Sequence, residues 1–523
     1  MKNTLLRSAS LSLFLFLSFS VLTVKSQIIN SGGIDSLAER TLKTFDVPGI
    51  AVAVVKDGKV IHSKGYGVRS LKTNEKVDSN TLFGIASNSK AFTSAALGML
   101  VDEKKLKWDD KVIDYIPEFR LYNPYVTEEF TIRDLLTHRS GLGLGAGDLM
   151  IFPGNNNFTL QDVIHNMRYL KPVSSFRTKY DYDNLLYIVA GEVIARVSGI
   201  SWENFIETRI LRPLNMTGTV STFSRLNDKA NVIDPHAPVN GKVEVIHRDF
   251  TEVFNAAAGI YSNVADMSKW IIMQMNHGKY GDALDKQLFS REVQKDMWSL
   301  QTIIPVADST IYNTHFSGYG LGWGLSDVKG YKQVTHTGGL AGIVTQVTMI
   351  PEMKLGIIVL TNQESGAAFN AITNTIKDSY FGIKGIDRVK QYQESLAKRT
   401  GNAHKITDEI WNDIEKQEKT GSPNDGDSLY SGSYKDPWFG EVLISQKNGK
   451  LWFDSKRSFS LTGEMLYYKG NTFVVKWINR SMDADAFVIF DLDHTGKVCG
   501  MKMKAISPQT DFSFDFQDLD FKR

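Results

Sequence analysis

Thr81-Leu82-Phe83-Gly84-Ile85-Ala86-Ser87-Asn88-Ser89-Lys90-Ala91-Phe92-Thr93-Ser94-Ala95-Ala96-Leu97-Gly98-Met99-Leu100 is the stretch on which the reading of this chain turns. A short apolar run, 81–86, leads into Ser87, and 90–100 has the composition of a helix. A serine at a helix start with a lysine three residues on sets both side chains on one face. The hydroxyl then has a base or proton shuttle within reach, and the positive end of the helix dipole points at it. Those are the components of an activated nucleophile. The pattern alone is unspecific. Ser326-Asp327-Val328-Lys329 and Ser395-Leu396-Ala397-Lys398 repeat it, one between β-like runs and one in a charged segment, without the strand-to-helix context. A serine here is also a ready helix cap.

Two further motifs bear on that choice. Tyr182-Asp183-Asn184 follows Tyr180-Asp181 and precedes the helix-like run 185–191. A cationic lysine beside Tyr182 is expected to pull its phenol below the usual ~10, so that it accepts a proton from a serine hydroxyl. Asn184 has the groups to position that lysine and to hydrogen-bond a substrate amide or carbonyl. The plain alternative is a packed tyrosine with Asn184 as helix cap. His336-Thr337-Gly338-Gly339 ends one β-like run and precedes another. Glycines there let backbone approach a ligand closely. A backbone N–H from this strand, with that of the serine, would form an oxyanion hole. Lys419-Thr420-Gly421 spells a related triplet but lies in a polar segment without β-like flanks.

SxxK, YxN and HTG in that order, spread over much of one domain, resemble the serine β-lactamase and penicillin-binding protein superfamily. The tyrosine in the second motif is similar to the class C β-lactamase-like branch, which also holds esterases, D-aminopeptidases and acyltransferases. The runs 131–142 and 258–267 add to the likeness, which covers roughly 35–382. The resemblance implies an α+β, β-lactamase/DD-peptidase-like fold: an antiparallel sheet flanked by helices, a helical lobe and a small C-terminal β-rich domain. It implies acyl transfer through Ser87, with Lys90 and Tyr182 moving its proton. Asn184, His336, Thr337, Gly338 and Gly339 form the substrate and oxyanion side, the N–H groups of Ser87 and Gly339 holding the oxyanion. The expected activity is hydrolysis of an ester, amide or peptide. Acyl transfer to a hydroxyl or amine acceptor is the alternative, and a non-catalytic penicillin-binding or sensor module ranks below both. The substrate is expected to be a small molecule or peptide carrying an ester, amide or lactam carbonyl. His336 stands where antibiotic-degrading members carry lysine. A histidine, with an unperturbed pKa of ~6.5, offers less charge to a substrate carboxylate.

The remaining sequence sets bounds. A chain of 523 residues is too long for one compact core, so a large domain and an accessory one are expected. The expected division is an export signal at 1–26, a catalytic domain at 27–385, a charged helical linker at 386–428 and a β-rich domain at 429–523. A formal net charge of +2 gives no reason to expect a nucleic-acid partner. Lys2 and Arg7 precede the apolar run 11–22, the pattern of a cleaved signal, and the run is short against the ~20 residues of a membrane span. Export to the periplasm or the medium is therefore expected, with no stable membrane span after cleavage. Nothing in the sequence fixes the oligomeric state. The lone cysteine, Cys499, excludes intrachain disulfides and reads as a buried small hydrophobe. No HExxH is present and the histidines are dispersed, so no metal and no cofactor is expected. Asp57-Gly58 and Asn448-Gly449 each lie between β-like runs and predict tight hairpins. Gly318, Gly320, Gly322 and Gly324 read as one glycine-stripped strand face that opens room near the site or permits close packing. Trp438, Trp452 and Trp477 read as core aromatics before ligand-stacking ones.

Overall fold

The computed structural model describes residues 28–420 and 427–523; the expected signal at 1–26 lies outside the described residues. Strand β1 (Gly49–Lys56) turns through Asp57-Gly58 into β2 (Lys59–Gly67). Both turn residues have positive φ, 51° and 74°, the backbone that a two-residue hairpin requires. Later in the chain come β3 (Thr302–Ile303), β4 (Ser317–Tyr319), β5 (Gly324–Val328), β6 (Tyr331–Leu340), β7 (Ile343–Ile350) and β8 (Leu355–Thr361). The eight form one sheet of order β2-β1-β8-β7-β6-β5-β4-β3, antiparallel at every pairing. Its centre joins the two ends of the domain, with Ile50 opposite Thr361.

Among the described residues the longest helices are α1 (Ser31–Phe45), α2 (Ser89–Asp102), α3 (Leu185–Ser198), α4 (Val264–Met275), α5 (Gly366–Phe381) and α6 (Arg388–Thr420). Side chains alternate across a strand, so β1 serves two cores. Ile50, Val52 and Val54 pack with Ile34 and Leu37 of α1 and Phe369 and Ile372 of α5. Ala51, Ala53 and Val55 face the opposite core, shared with α2, α3 and α4. Helix α2 is buried from Ser89 to Leu100, as a helix that is apolar nearly all round must be. Phe92 stacks on Trp270 of α4 at 3.8 Å.

Residues 432–522 form a closed eight-stranded barrel: β9 (Gly432–Asp436), β10 (Gly440–Lys447), β11 (Lys450–Ser455), β12 (Thr462–Lys469), β13 (Thr472–Trp477), β14 (Ala486–Leu492), β15 (Val498–Ala505) and β16 (Asp520–Lys522). Tyr434, Phe453, Phe473, Trp477 and Phe490 fill it, continuous with the core of the helical lobe. Trp438 and Trp477 are buried and Trp452 is half-buried under Lys447. The charged segment is one 33-residue helix, α6. Arg388 at its start pairs with the buried Asp378 at 2.6 Å, and Ile410 and Ile414 farther along pack on Val474 and Ile506 of the barrel domain. Lys419-Thr420 closes this helix, and Gly421 lies outside the described residues.

Two expectations are corrected. Cys499 is exposed: β15 points Val498 and Gly500 inward, which leaves Cys499 on the outer face. The four glycines at 318–324 do not share a strand, because the chain turns between β4 and β5 with Gly322 at φ 77°. They serve close packing. A Cβ on Gly322 would stand 2.9 Å from the Lys90 carbonyl oxygen and 2.6 Å from Ser94 Oγ. Among the described residues no single helix is long and apolar enough to cross a membrane.

Candidate active site

Ser87 occupies a single 3₁₀ turn, Ala86–Asn88, between the short strand Phe83–Gly84 and α2. Ala86 has φ 50°, a left-handed backbone that a residue with a β carbon holds only when its surroundings impose it. The surroundings are specific. Asn88 Nδ2 donates to Thr345 Oγ1 at 2.9 Å, and Thr345 Oγ1 donates to the Ile85 carbonyl at 2.9 Å. A Cβ on Gly338 would lie 2.3 Å from that same carbonyl oxygen, so only glycine lets β6 approach this turn. Ser87 does not cap α2: neither the turn nor the helix has a side-chain cap bond.

Lys90 is fully buried one turn on. Its Nζ donates to Ser87 Oγ at 3.1 Å, Asn184 Oδ1 at 2.7 Å and the Ala257 carbonyl at 3.2 Å. Burial lowers its pKa to about 7, against the opposing pull of Asp148 and Asp183. A lysine so placed exchanges between ammonium and amine near neutrality. Tyr182 lies against it, the ammonium 4.8 Å from the ring centroid, with the phenol on the side of Ser87. The expected acidification of Tyr182 is reversed. Burial drives the phenol well above its ordinary value, and the contact with Ser87 offsets only part of that. Tyr182 is therefore a neutral hydroxyl, and Lys90 is the group of the pair that can be a free base at pH 7.

Asn184 starts α3 but does not cap it. Asp183 does, its Oδ1 accepting from the N–H groups of Leu185 and Leu186 at 2.9 and 3.4 Å. Both ends of the Asn184 amide are engaged inside the protein, Oδ1 by Lys90 and Nδ2 by Asp148 Oδ2 at 2.7 Å. Its place is that of a lysine holder. Asp148 is fully buried, and burial together with nearby Asp183 raises its pKa well above the ordinary range. The same oxygen accepts from Ser513 of the barrel domain at 2.9 Å.

His336 is buried on β6. Its Nδ1 meets the Thr337 carbonyl at 2.6 Å, which makes Nδ1 the donor, and its Nε2 then accepts from the Tyr319 hydroxyl at 2.7 Å. Burial and the neighbouring Lys90 lower its pKa to about 3. Residue 336 is thus a neutral ring with both nitrogens committed. Thr337 is exposed, and Gly339 is open, with no atom within 4 Å of an added Cβ. The structure thus brings Ser87, Lys90, Tyr182 and Asn184 into contact and sets the 336–339 strand against the serine turn. A cavity of about 350 Å³, lined by Leu144 and Val173 together with Asp511, Phe512, Phe514 and Asp518 of the barrel domain, lies behind Phe512, whose ring is edge-on to Tyr182 at 5.9 Å.

A family model described as Beta-lactamase matches residues 34–379. The chain belongs to the Beta-lactamase family. A second model, a domain of unknown function (DUF3471), matches 416–523. Among curated relatives, Unguisins hydrolase ungD of Aspergillus violaceofuscus is 28% identical over 438 residues, 78% of this chain and 76% of that protein. Protein flp of Staphylococcus aureus is 29% identical over 337 residues, 64% of this chain and 63% of that protein. Two solved structures share the β-lactamase and penicillin-binding protein fold. The octameric penicillin-binding protein homologue from Pyrococcus abyssi matches with TM-score 0.59 and 21% identity, over 95% of this chain and all of that one. A class C β-lactamase matches with TM-score 0.53 and 20% identity, over 68% of this chain and 96% of that one.

Three residues of this family member's site carry no local sequence signal: Asp148, Tyr319 and Ser513. A fourth, His138, lies inside the 131–142 run already read as family-like, yet nothing there distinguishes it from a core histidine. It sits at the centre of the aromatic cluster, its ring 4.1 Å from Tyr182 and 4.6 Å from Tyr319.

Proposed function

We propose that this chain is an exported serine hydrolase, acting in the periplasm or the medium, that forms an acyl-enzyme on Ser87 with an ester, amide or peptide carbonyl. One observation carries the reading: the buried Lys90 amine, with its pKa brought to about 7, stands 3.1 Å from Ser87 Oγ. In the first half-reaction the neutral amine takes the Ser87 proton, directly or across the Tyr182 hydroxyl, as Oγ attacks the carbonyl carbon. The N–H groups of Ser87 and Gly339 receive the developing oxyanion. The proton held by Lys90 passes to the leaving alcohol or amine as the carbonyl re-forms. In the second half-reaction water attacks the acyl carbon and gives a proton to Lys90, which returns it to Ser87 Oγ as the acyl–oxygen bond breaks, releasing the acid and regenerating the serine and the amine.

Two observations support this reading. The neutral, doubly bonded ring of His336 leaves no cation at the position where lysine would meet a substrate carboxylate. A relative covering most of this chain is named a hydrolase, which supports water over a second acceptor. The test is pre-steady-state kinetics with p-nitrophenyl esters, D-amino-acid p-nitroanilides and a chromogenic cephalosporin. A burst of nitrophenol stoichiometric with enzyme and absent from Ser87→Ala is expected, with the ester or amide turned over faster than the cephalosporin. Equal turnover by Ser87→Ala overturns the reading.

A further inference from the structure

The barrel domain reaches the reacting groups through the chain between β15 and β16. Ser513 is 8% exposed and donates to Asp148 Oδ2 at 2.9 Å; that oxygen also accepts from Asn184 Nδ2 at 2.7 Å, and Asn184 Oδ1 accepts from Lys90 Nζ at 2.7 Å. Three hydrogen bonds therefore run from the barrel to the amine. Asp515, itself fully buried, grips the backbone on both sides of Asp148, accepting from the Gly147 N–H at 2.6 Å and the Leu149 N–H at 3.0 Å. On the other side of the centre, the Phe512 ring meets Tyr182 edge-on at 5.9 Å. The Phe512 carbonyl oxygen would stand 2.6 Å from a Cβ on Gly145, whose N–H donates to the Tyr182 carbonyl at 2.8 Å. One short segment thus touches the supports of both residues that handle the serine proton.

We propose that residues 511–515 of the C-terminal barrel are part of the active site, and that Ser513 is a positioning residue for Lys90 acting through Asp148 and Asn184. The proposal rests on the reading of Lys90 as the base for Ser87. Asp148 Oδ1 is buried with no partner, so the carboxylate is held through Oδ2 alone. Removing the Ser513 hydroxyl leaves that oxygen with the Asn184 amide as its side-chain donor and frees Asn184 to drift. A groove packed only for docking would not need a hydroxyl there. The groups facing Lys90 are the carboxyl groups of Asp148 and Asp183, both raised by burial, the neutral histidines His138 and His336, and the rings of Tyr182 and Tyr187. With one donor fewer, Asp148 is harder to ionise and supports the Lys90 cation less.

The test uses the full chain and the rate at which a fluorophosphonate labels Ser87 between pH 5 and 9, in wild type, Ser513→Ala, Ser513→Thr and Phe512→Ala. Ser513→Ala is expected to label about tenfold more slowly on the plateau, the effect of one buried hydrogen bond, with its acidic limb moved to lower pH. Ser513→Thr, which keeps a hydroxyl, restores both. Phe512→Ala, whose ring is partly exposed, is expected to slow the plateau without moving the limb, and it carries the test should Ser513→Ala fail to fold. Wild-type rate and limb in Ser513→Ala, or a Ser513→Thr as slow as Ser513→Ala, overturn the proposal while leaving Ser87 as nucleophile. Absence of labelling in wild type removes the functional reading, and this proposal with it.

Discussion

His138 clasps the chain on both sides of Tyr182. Its carbonyl accepts from the Asp181 N–H at 3.0 Å, its Nδ1 accepts from the Asp183 N–H at 3.1 Å, and its ring lies 4.1 Å from the tyrosine ring. The residue is fully buried at φ 53°, and burial holds its pKa well below the ordinary value, so the ring is a neutral acceptor. His138→Ala keeps the backbone carbonyl that holds Asp181 but removes the Nδ1 acceptor of the Asp183 N–H and the ring against Tyr182. A misplacement of ~1 Å at a reacting group is enough to slow a reaction about 10²-fold. The expected result is a fall of that order in kcat with KM within a few-fold, read by steady-state ester hydrolysis on a variant whose circular dichroism matches wild type. An unchanged kcat would show that Tyr182 needs no such clasp.

The acidic limb of the pH profile is expected to follow Lys90, with the neighbouring buried Asp183, raised to about 7, titrating in the same range. Its folded pKa is lowered from 10.5 to about 7 by burial, and only the amine accepts a proton. kcat/KM on a neutral ester is expected to rise tenfold per pH unit below about 7 and to level off above it. The His336 pKa, lowered to about 3, lies below this range, and the Tyr182 phenol, raised by burial, stays protonated through it. A limb centred near pH 4 would assign the base to a carboxylate and contradict the assignment.

Neighbouring glycines should behave oppositely. A methyl on Gly338 meets the Ile85 carbonyl oxygen at 2.3 Å and Thr345 Oγ1 at 2.5 Å, whereas one on Gly339 meets nothing within 4 Å. Gly338→Ala is expected to destabilise by about 1–3 kcal/mol, as overpacking does, and Gly339→Ala by less than ~0.5 kcal/mol. Chemical denaturation of the two variants reads the contrast, and equal midpoints would deny the close approach of β6 to the serine turn.

At the far edge of the domain, Arg388 and Asp378 form a pair with side chains 4% and 7% exposed. Arg388→Ala leaves the Asp378 carboxylate buried without its cation. The expected loss is about 3–5 kcal/mol, seen as a lowered thermal midpoint with activity intact below it. A shift of under a degree would mean that α6 is not held at this end by the pair.

The chemistry of this chain is written locally and its support is not. Ser87 and Lys90 are legible because a spacing of three on a helix is a contact by construction. The hairpins at Asp57-Gly58 and Asn448-Gly449 are legible because positive φ at two successive residues selects those side chains. Asp148 lies between two triplets of the site with no periodicity or neighbour to mark it, and Ser513 reaches it across 365 positions. The phenol of Tyr182 illustrates the same limit in energy. A neighbouring cation can be inferred from a motif, but the desolvation that outweighs it depends on everything else packed around the ring. The outward facing of Cys499 and the turn within 318–324 are hidden from the sequence for a simpler reason: a strand's facing and a turn within a glycine-rich run are fixed by pairing partners that are distant in sequence.

Peptide mapping by mass spectrometry after reaction with a fluorophosphonate addresses the central claim most directly. The account predicts one adduct, on Ser87, formed faster above pH 7 than below it and lost in both Ser87→Ala and Lys90→Met. An adduct on another serine, or labelling of Ser87 at the wild-type rate in Lys90→Met, would contradict it.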